Sequence, residues 1–375
     1  LLFLALALMM GARAVADAAP PNFLFILADD LGYGDLGCYG QTRIRTPHLD
    51  QLAAQGARFT RHYAGSPVCA PSRCVLLTGK HPGHAWIRDN RELREEGQEP
   101  LPAGTPTFLR TLQTLGYQTG AFGKWGLGPP ASTGNPLRQG LHQFYGYNCQ
   151  RHAHNHYPAY LWDNERRVRL DNPPFPAHQT LPADADPRAP DFLARYRGQD
   201  YAPDLIFRRA GEFIRANRNR PFFCHVPITV PHLALQVPED SLAEYRGVLP
   251  DELYAGQHGY LPHPTPHAAY AAMVTRLDRE VGRLLALLQE LGLEENTVVV
   301  FTSDNGPAAG RTGGADSDFF ESAAGLRGRK GSVYEGGLRV PLLVRWPARI
   351  RPGRVCDRVT GFEDWFPTLL ELAGG

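Results

Sequence analysis

The sequence predicts an α/β protein with a large, mostly parallel sheet sandwiched by helices, as three observations indicate. Short continuous apolar runs at residues 22–28 (NFLFILA) and 297–302 (TVVVFT) are typical of strands buried on both faces. Segments with helical spacing alternate with such runs along the chain. Acidic residues follow both runs directly, and open α/β sheets bind ligands at the carboxyl ends of their strands.

Each element is predicted from its local pattern. A helix is expected to begin after a Thr46 cap and to end at Gly56, followed by a strand over 57–63. Further helices are predicted at 105–115, 202–217, 268–291 and 365–372, and further strands at 117–122, 221–226 and 340–345. Residues 128–201 lose this periodicity and are rich in Pro, Asn, Asp and His. So long a connection is usually functional, and we expect it to form a wall or lid that sets substrate selectivity.

Composition and the N-terminus limit the partners and the compartment. With 39 basic and 38 acidic residues, the net charge of +1 favours neither nucleic acid nor an anionic membrane. Residues 1–10 are almost wholly apolar but too short to span a bilayer, and Ala14-Val15-Ala16 offers a cleavage site. We therefore expect an N-terminally incomplete signal peptide over 1–16, a secreted or periplasmic protein, and no membrane span after signal removal. A transmembrane anchor is the alternative.

Two strand ends carry oxygen donors. Asp29 and Asp30 follow the first apolar run, and Asp304 and Asn305 follow the second. Carboxylates together with an amide suit Ca²⁺ or Mg²⁺ better than zinc. The alternative is that each pair is only a helix cap or a turn.

A third feature is the segment from Cys69 to Gly79, Cys-Ala-Pro-Ser-Arg followed by Cys-Val-Leu-Leu-Thr-Gly. Proline in the first turn and the apolar run after it predict that Cys69 lies just before a helix N-terminus. Unpaired N–H groups there stabilise an anion. For a cysteine considered alone, an inert buried thiol is the alternative.

The Cys69–Gly79 segment resembles the signature of the type I sulfatases, the formylglycine-dependent, arylsulfatase-like members of the alkaline phosphatase superfamily. The segments Gly123-Lys124-Trp125-Gly126 and 326–341 (LRGRKGSVYEGGLRVP) match the same family's sulfate-binding motifs. The resemblance implies that a formylglycine-generating or equivalent maturation enzyme oxidises Cys69 to formylglycine. It also implies a Ca²⁺ ion bound by residue 69 together with Asp29, Asp30, Asp304 and Asn305.

The resemblance also implies the chemistry. Arg73, Lys124 and Lys330 would bind the sulfate group, the hydrated aldehyde at residue 69 would attack sulfur, and His232 would protonate the departing alcohol. The implied function is a sulfuric ester hydrolase that releases inorganic sulfate from a sulfated carbohydrate or an aryl sulfate. The alternatives are a phosphate or phosphonate ester hydrolase of the same fold and a non-catalytic protein that binds sulfated glycans.

The chain departs from the family pattern in two places. Many members have His where this chain has Gly126, and we consider His152 and His154 as substrate-binding replacements. Members also continue into a small C-terminal subdomain. We therefore expect residues 22–375 to form the catalytic domain, with that subdomain missing.

Overall fold

The computed structural model describes residues 19–93, 97–179, 182, 184–189, 191–257 and 259–375. Within them an eleven-stranded mixed sheet is covered by helices on both faces, which confirms the predicted fold class. The predicted signal peptide at 1–16 lies outside the described residues. No helix in the described part of the chain has the length and apolarity needed to cross a membrane.

The strands of the main sheet are numbered along the chain together with one small hairpin. They are β1 Asn22–Ala28, β2 Ala57–Tyr63, β3 Glu92–Leu93, β4 Gly97–Gln98, β5 Gln118–Lys124, β6 Gln143–Tyr147, β7 Tyr160–Asp163, β8 Arg166–Arg169, β9 Phe222–Pro227, β10 Thr297–Ser303, β11 Arg339–Arg345, β12 Arg354–Cys356 and β13 Thr360–Gly361. Strands β3 and β4 form the separate hairpin, and the sheet order is β12-β2-β11-β10-β1-β9-β5-β6-β7-β8, with β13 beside β2.

The centre of the sheet is parallel. Strands β10, β1, β9, β5 and β6 run in one direction, whereas β11 and β7 join them antiparallel on either side. Residues of β1 alternate between two cores: Leu24 and Ile26 pack into one, and Phe23 and Phe25 into the other. This alternation explains why a strand covered on both faces is a continuous apolar run.

The helices supply the two layers. They are α1 Pro47–Gln55, α2 Cys69–Thr78, α3 Phe108–Thr114, α4 Ala202–Ala216, α5 Glu239–Leu242, α6 Pro266–Glu290, α7 Glu335–Leu338 and α8 Trp365–Leu372. Helices α1, α4 and α6 contribute to the core on one face, and α2, α3 and α8 to the core on the other.

Three local predictions need correction. Strands β6, β7 and β8 lie within 128–201, so this segment extends the sheet instead of forming only an irregular wall. Cys69 is the first residue of α2 rather than the residue before it, and Val68 is the N-cap. Thr46 is the N-cap residue of α1 as expected, but its side chain makes no capping hydrogen bond. The carboxylate of Asp278 instead accepts the His48 and Leu49 N–H groups, at 3.2 and 2.7 Å.

Candidate active site

The oxygen donors predicted from the two strand ends lie side by side. Strands β1 and β10 pair in parallel with Ala28 opposite Ser303, which brings Asp29 and Asp30 next to Asp304 and Asn305. The Asn305 amide donates to Asp30 Oδ1 at 2.7 Å, and the Asp30 N–H donates to Asp304 Oδ1 at 3.2 Å. Asp30 has a φ of 63°, a left-handed conformation that is strained for a residue with a side chain. All four side chains are buried.

Cys69 faces this group from the first turn of α2. Its thiol donates to Asp29 Oδ1 at 3.4 Å, and the Lys330 ammonium donates to Cys69 Sγ at 3.3 Å. Burial, reinforced by the Asp29 charge, raises the pKa of the Cys69 thiol to about 12. An unmodified Cys69 would therefore be a protonated thiol, which is a poor nucleophile.

Three cations converge on the same carboxylates. Lys124, the last residue of β5, places Nζ 2.6 Å from Asp29 Oδ2. Arg73, one turn after Cys69, donates twice to Asp304 Oδ2, at 2.8 and 3.0 Å. Lys330 Nζ lies 2.7 Å from Asp30 Oδ1. Burial alone would raise the pKa of Asp29, but the surrounding cations, Lys124 foremost, hold this pKa well below its usual range.

His232 lies in the loop after β9 with Nε2 3.5 Å from Asp30 Oδ2. Its Nδ1 contacts the Leu233 carbonyl, which only an N–H can satisfy, so the neutral ring carries no proton on Nε2. Burial, reinforced by the Lys330 charge, lowers the pKa of His232 to about 3. The sequence did not reveal how completely the ring is buried, so this low pKa was not predicted.

The two histidines considered as replacements for the missing residue lie in different places. The ring of His154 stacks on that of His232, with centroids 4.2 Å apart and planes 14° apart. Its Nδ1 lies 2.7 Å from Nε2 of His178. His152 instead packs on Tyr160 and lines a neighbouring cavity of about 360 Å³ together with His178. Of the two, only His154 contacts a predicted catalytic residue.

Sequence reasoning missed three residues around this group. His156 contacts the His232 carbonyl through Nε2 at 2.9 Å and so holds the backbone of that residue. His178 pairs with His154. Gln150 packs against Gly126. His156 and Gln150 belong to the histidine-rich stretch at 150–158, whereas His178 has no distinguishing motif.

The donor set fits a hard cation. Ligand atoms of Asp29, Asp30, Cys69 and His232 all lie within 4.8 Å of one another, and the carboxylate oxygens among them are the donors that suit a hard cation. Asn305 Oδ1 is buried and accepts no hydrogen bond in the described part of the chain, as expected for an oxygen reserved for a metal. Asp304, also predicted as a ligand, lies beside this group with Oδ2 on Arg73.

Comparison with known proteins agrees with this arrangement. The Sulfatase family model matches residues 21–375. Mouse steryl-sulfatase is 35% identical over 95% of this chain and 62% of its own length, and human arylsulfatase A is 36% identical over 97% and 66%. The chain thus spans less than two thirds of these two relatives.

A solved structure also resembles this chain in fold. The crystal structure of Ps i-CgsB in complex with k-i-k-neocarrahexaose superposes with a TM-score of 0.76 at 27% identity, covering 95% of this chain and 72% of that one. Fold, site geometry and sequence comparison therefore agree that the chain belongs to the sulfatase family.

Proposed function

We propose that this protein is a sulfuric ester hydrolase that releases inorganic sulfate from a sulfated carbohydrate or an aryl sulfate. One observation carries the proposal: Cys69 lies within 3.4 Å of Asp29 and 3.3 Å of Lys330, inside a buried group of acids and cations. The catalytic residues would be Cys69, as formylglycine, with Arg73, Lys124, His232 and Lys330. The calcium ligands would be residue 69 with Asp29, Asp30, Asp304 and Asn305.

The charge of the group suits a sulfate ester. Three carboxylates, those of Asp29, Asp30 and Asp304, face three cations, Arg73, Lys124 and Lys330, so the side chains alone are neutral when all are ionised. A bound calcium ion would add two positive charges and lower the pKa of the hydroxyl group of residue 69. A sulfate monoanion would leave one positive charge to stabilise the negative charge that develops on the leaving oxygen.

The residues around His232 support its role as the proton donor to that oxygen. Nδ1 is fixed on the Leu233 carbonyl, so any added proton resides on Nε2, the nitrogen that faces Asp30. The stacked ring of His154 and the contact from His156 hold the orientation of His232. The negative charge that develops on the leaving oxygen would favour the protonated ring, against the effect of burial.

Formylglycine at residue 69 would supply a hydrated aldehyde, whose hydroxyl group is the nucleophile. Because the side chain of Cys69 is only 1% exposed, we propose that the maturation enzyme acts on the chain before it folds. This order of events suits a protein exported after modification, with residues 1–16 as its signal peptide and residues 22–375 as its catalytic domain.

The substrate class rests on the surroundings of the site. The cavity beside His178 has a volume of about 360 Å³, within the range of small-molecule sites, and is lined by both polar and apolar groups such as Arg151 and Phe175. His178 contacts His154, which stacks on His232, so the cavity lies one ring away from the proposed proton donor. A carbohydrate leaving group bound there is consistent with the oligosaccharide bound by the structural relative.

The proposal is tested by comparing hydrolysis of 4-nitrophenyl sulfate and 4-nitrophenyl phosphate by protein produced with a maturation enzyme. We expect sulfate release to be much faster, and the Cys69→Ala variant to be inactive on both esters. Faster phosphate release would favour a phosphoester hydrolase. Binding of a sulfated oligosaccharide without turnover, in protein shown by mass spectrometry to carry formylglycine, would favour a binding protein.

A further inference from the structure

The space beside Gly126 is filled by the side chain of Gln150. A Cβ atom added at Gly126 would lie 3.1 Å from Cγ, Cδ and Nε2 of Gln150. Gly126 lies in the loop after β5, and Gln150 lies in the loop after β6. A hydrogen bond joins the two loops, because the Gly126 N–H donates to the Asn148 carbonyl at 3.1 Å. Gly126 also has a φ of 73°, which side chains rarely adopt. A side chain at 126 would therefore require the side chain of Gln150 to shift from its present position.

The hydrogen bonds of Gln150 fix which end of its amide is free. The N–H of Ala70, next to Cys69, donates to Asn90 Oδ1 at 2.9 Å, so this atom of Asn90 is the acceptor oxygen. Gln150 contacts the same oxygen at 3.3 Å and must do so with its NH₂ group. The carbonyl oxygen, Gln150 Oε1, is then left over. It is buried and accepts no hydrogen bond among the described residues.

A free carbonyl oxygen can only accept a hydrogen bond, so its partner must carry a proton to donate. Sulfate oxygens carry no proton and would repel Oε1, whereas a hydroxyl group can donate to it. Resting on the proposed function, we propose that Gln150 occupies the place left open at Gly126 and accepts a hydrogen bond from a hydroxyl group of the reacting complex. That hydroxyl belongs either to hydrated residue 69 or to the substrate alcohol next to its sulfate.

This contact would orient the hydroxyl group without removing its proton. A carboxamide is not a base near neutral pH, unlike the imidazole that many relatives place at the position of Gly126. The chain of contacts from Gln150 through Asn90 to Ala70 ties the amide to the first turn of α2, which carries residue 69. A buried acceptor without a donor is unfavourable, so a hydroxyl group that reaches Gln150 Oε1 would be favoured there.

The test replaces Gln150 by Met, which keeps the length of the side chain and removes the acceptor. Gln139→Met is the matched control, because Gln139 is also buried with Oε1 unpartnered but precedes β6, away from the carboxyl ends of the strands. Each variant is assayed on 4-nitrophenyl sulfate, whose alcohol has no second hydroxyl, and on 4-nitrocatechol sulfate, which has one. The rate at which methoxyamine captures the residue 69 aldehyde in the folded protein is measured by peptide mass.

If the hydroxyl is on residue 69, Gln150→Met lowers kcat about 3- to 10-fold on both esters with KM unchanged, and aldehyde capture is faster. If it is on the substrate, kcat/KM falls by a similar factor on 4-nitrocatechol sulfate alone. Either result supports the inference, provided that Gln139→Met matches the wild type. Kinetics and capture equal to those of Gln139→Met would overturn it. A wild-type protein that carries the aldehyde and hydrolyses neither ester would instead overturn the proposed function, and this inference with it.

Discussion

Replacing Lys124 by Met should lower both activity and stability, the latter by about 3 kcal/mol, whereas Lys330→Met should lower activity as much but stability by only about 1 kcal/mol. The two lysines contribute the same charge to one group of carboxylates but differ in burial. The side chain of Lys124 is 0% exposed and that of Lys330 is 19% exposed. The comparison therefore separates charge at the site from the cost of an unpaired buried carboxylate.

The magnitudes follow from the partners that remain. Removing one member of a buried ion pair costs about 3–5 kcal/mol, and we take the lower end because Arg73 still lies 3.5 Å from Asp29. In Lys330→Met the carboxylate of Asp30 keeps the Asn305 amide at 2.7 Å and gains access to water, so we expect about 1 kcal/mol. Each variant should lose about 100- to 1,000-fold in kcat, as for other groups that stabilise transition-state charge.

Urea unfolding at pH 7, in a chelator so that metal binding does not compensate Asp29, measures the stability change. Initial rates of 4-nitrophenyl sulfate hydrolysis with calcium restored measure the activity. A Lys124→Met protein as stable as the wild type would refute the buried pair as the source of stability. A fully active Lys330→Met protein would refute the placement of Lys330 against the sulfate group.

Three further predictions concern metal, histidine and pH. Calcium at 100 times its dissociation constant should add about 2.7 kcal/mol to the free energy of unfolding, and Asn305→Ala should reduce this gain in melts with and without a chelator. His154 stacks on the proposed proton donor, so His154→Ala should lower kcat about 10-fold on a carbohydrate sulfate. The effect on 4-nitrophenyl sulfate should be small, because its alcohol leaves without a proton. The control is His142→Ala at an exposed histidine, which should change neither rate. Burial raises the pKa of Asp35 from 3.8 to about 6, so the folded state keeps a proton that the unfolded chain releases. Relative to Asp35→Asn, wild-type stability should therefore fall by about 3 kcal/mol as pH rises from 4 through 6, and an equal pH dependence of the two would contradict this.

The sequence predicted those parts of the fold that depend on local pattern. Strands β1 and β10 are continuous apolar runs because both faces are buried, and their parallel pairing brings together the acids that follow them. Strand β6, Gln-Phe-Tyr-Gly-Tyr, was missed because a glycine and two tyrosines hide the apolar pattern. The α1 cap from Asp278 was missed because the carboxylate is 230 residues away in sequence.

In the candidate site, too, local sequence pattern predicted some features, whereas others depend on tertiary packing. Residues that follow strands or begin a helix, such as Asp29, Cys69 and Lys124, could be placed from the elements that carry them. The position of Gln150 depends on the path of a loop and on an absent side chain at Gly126, which no periodicity encodes. The low pKa of His232 follows from tertiary burial and could not be predicted from the local sequence, Pro231-His232.

The most direct test of the proposed function is the relation between modification and rate. Preparations made with increasing amounts of a maturation enzyme would be analysed for the fraction of formylglycine at residue 69, by peptide mass, and for sulfate release. We predict a rate proportional to that fraction, which extrapolates to zero for the unmodified thiol. A preparation with Cys69 wholly unmodified that hydrolyses the sulfate ester at the same rate would contradict the account.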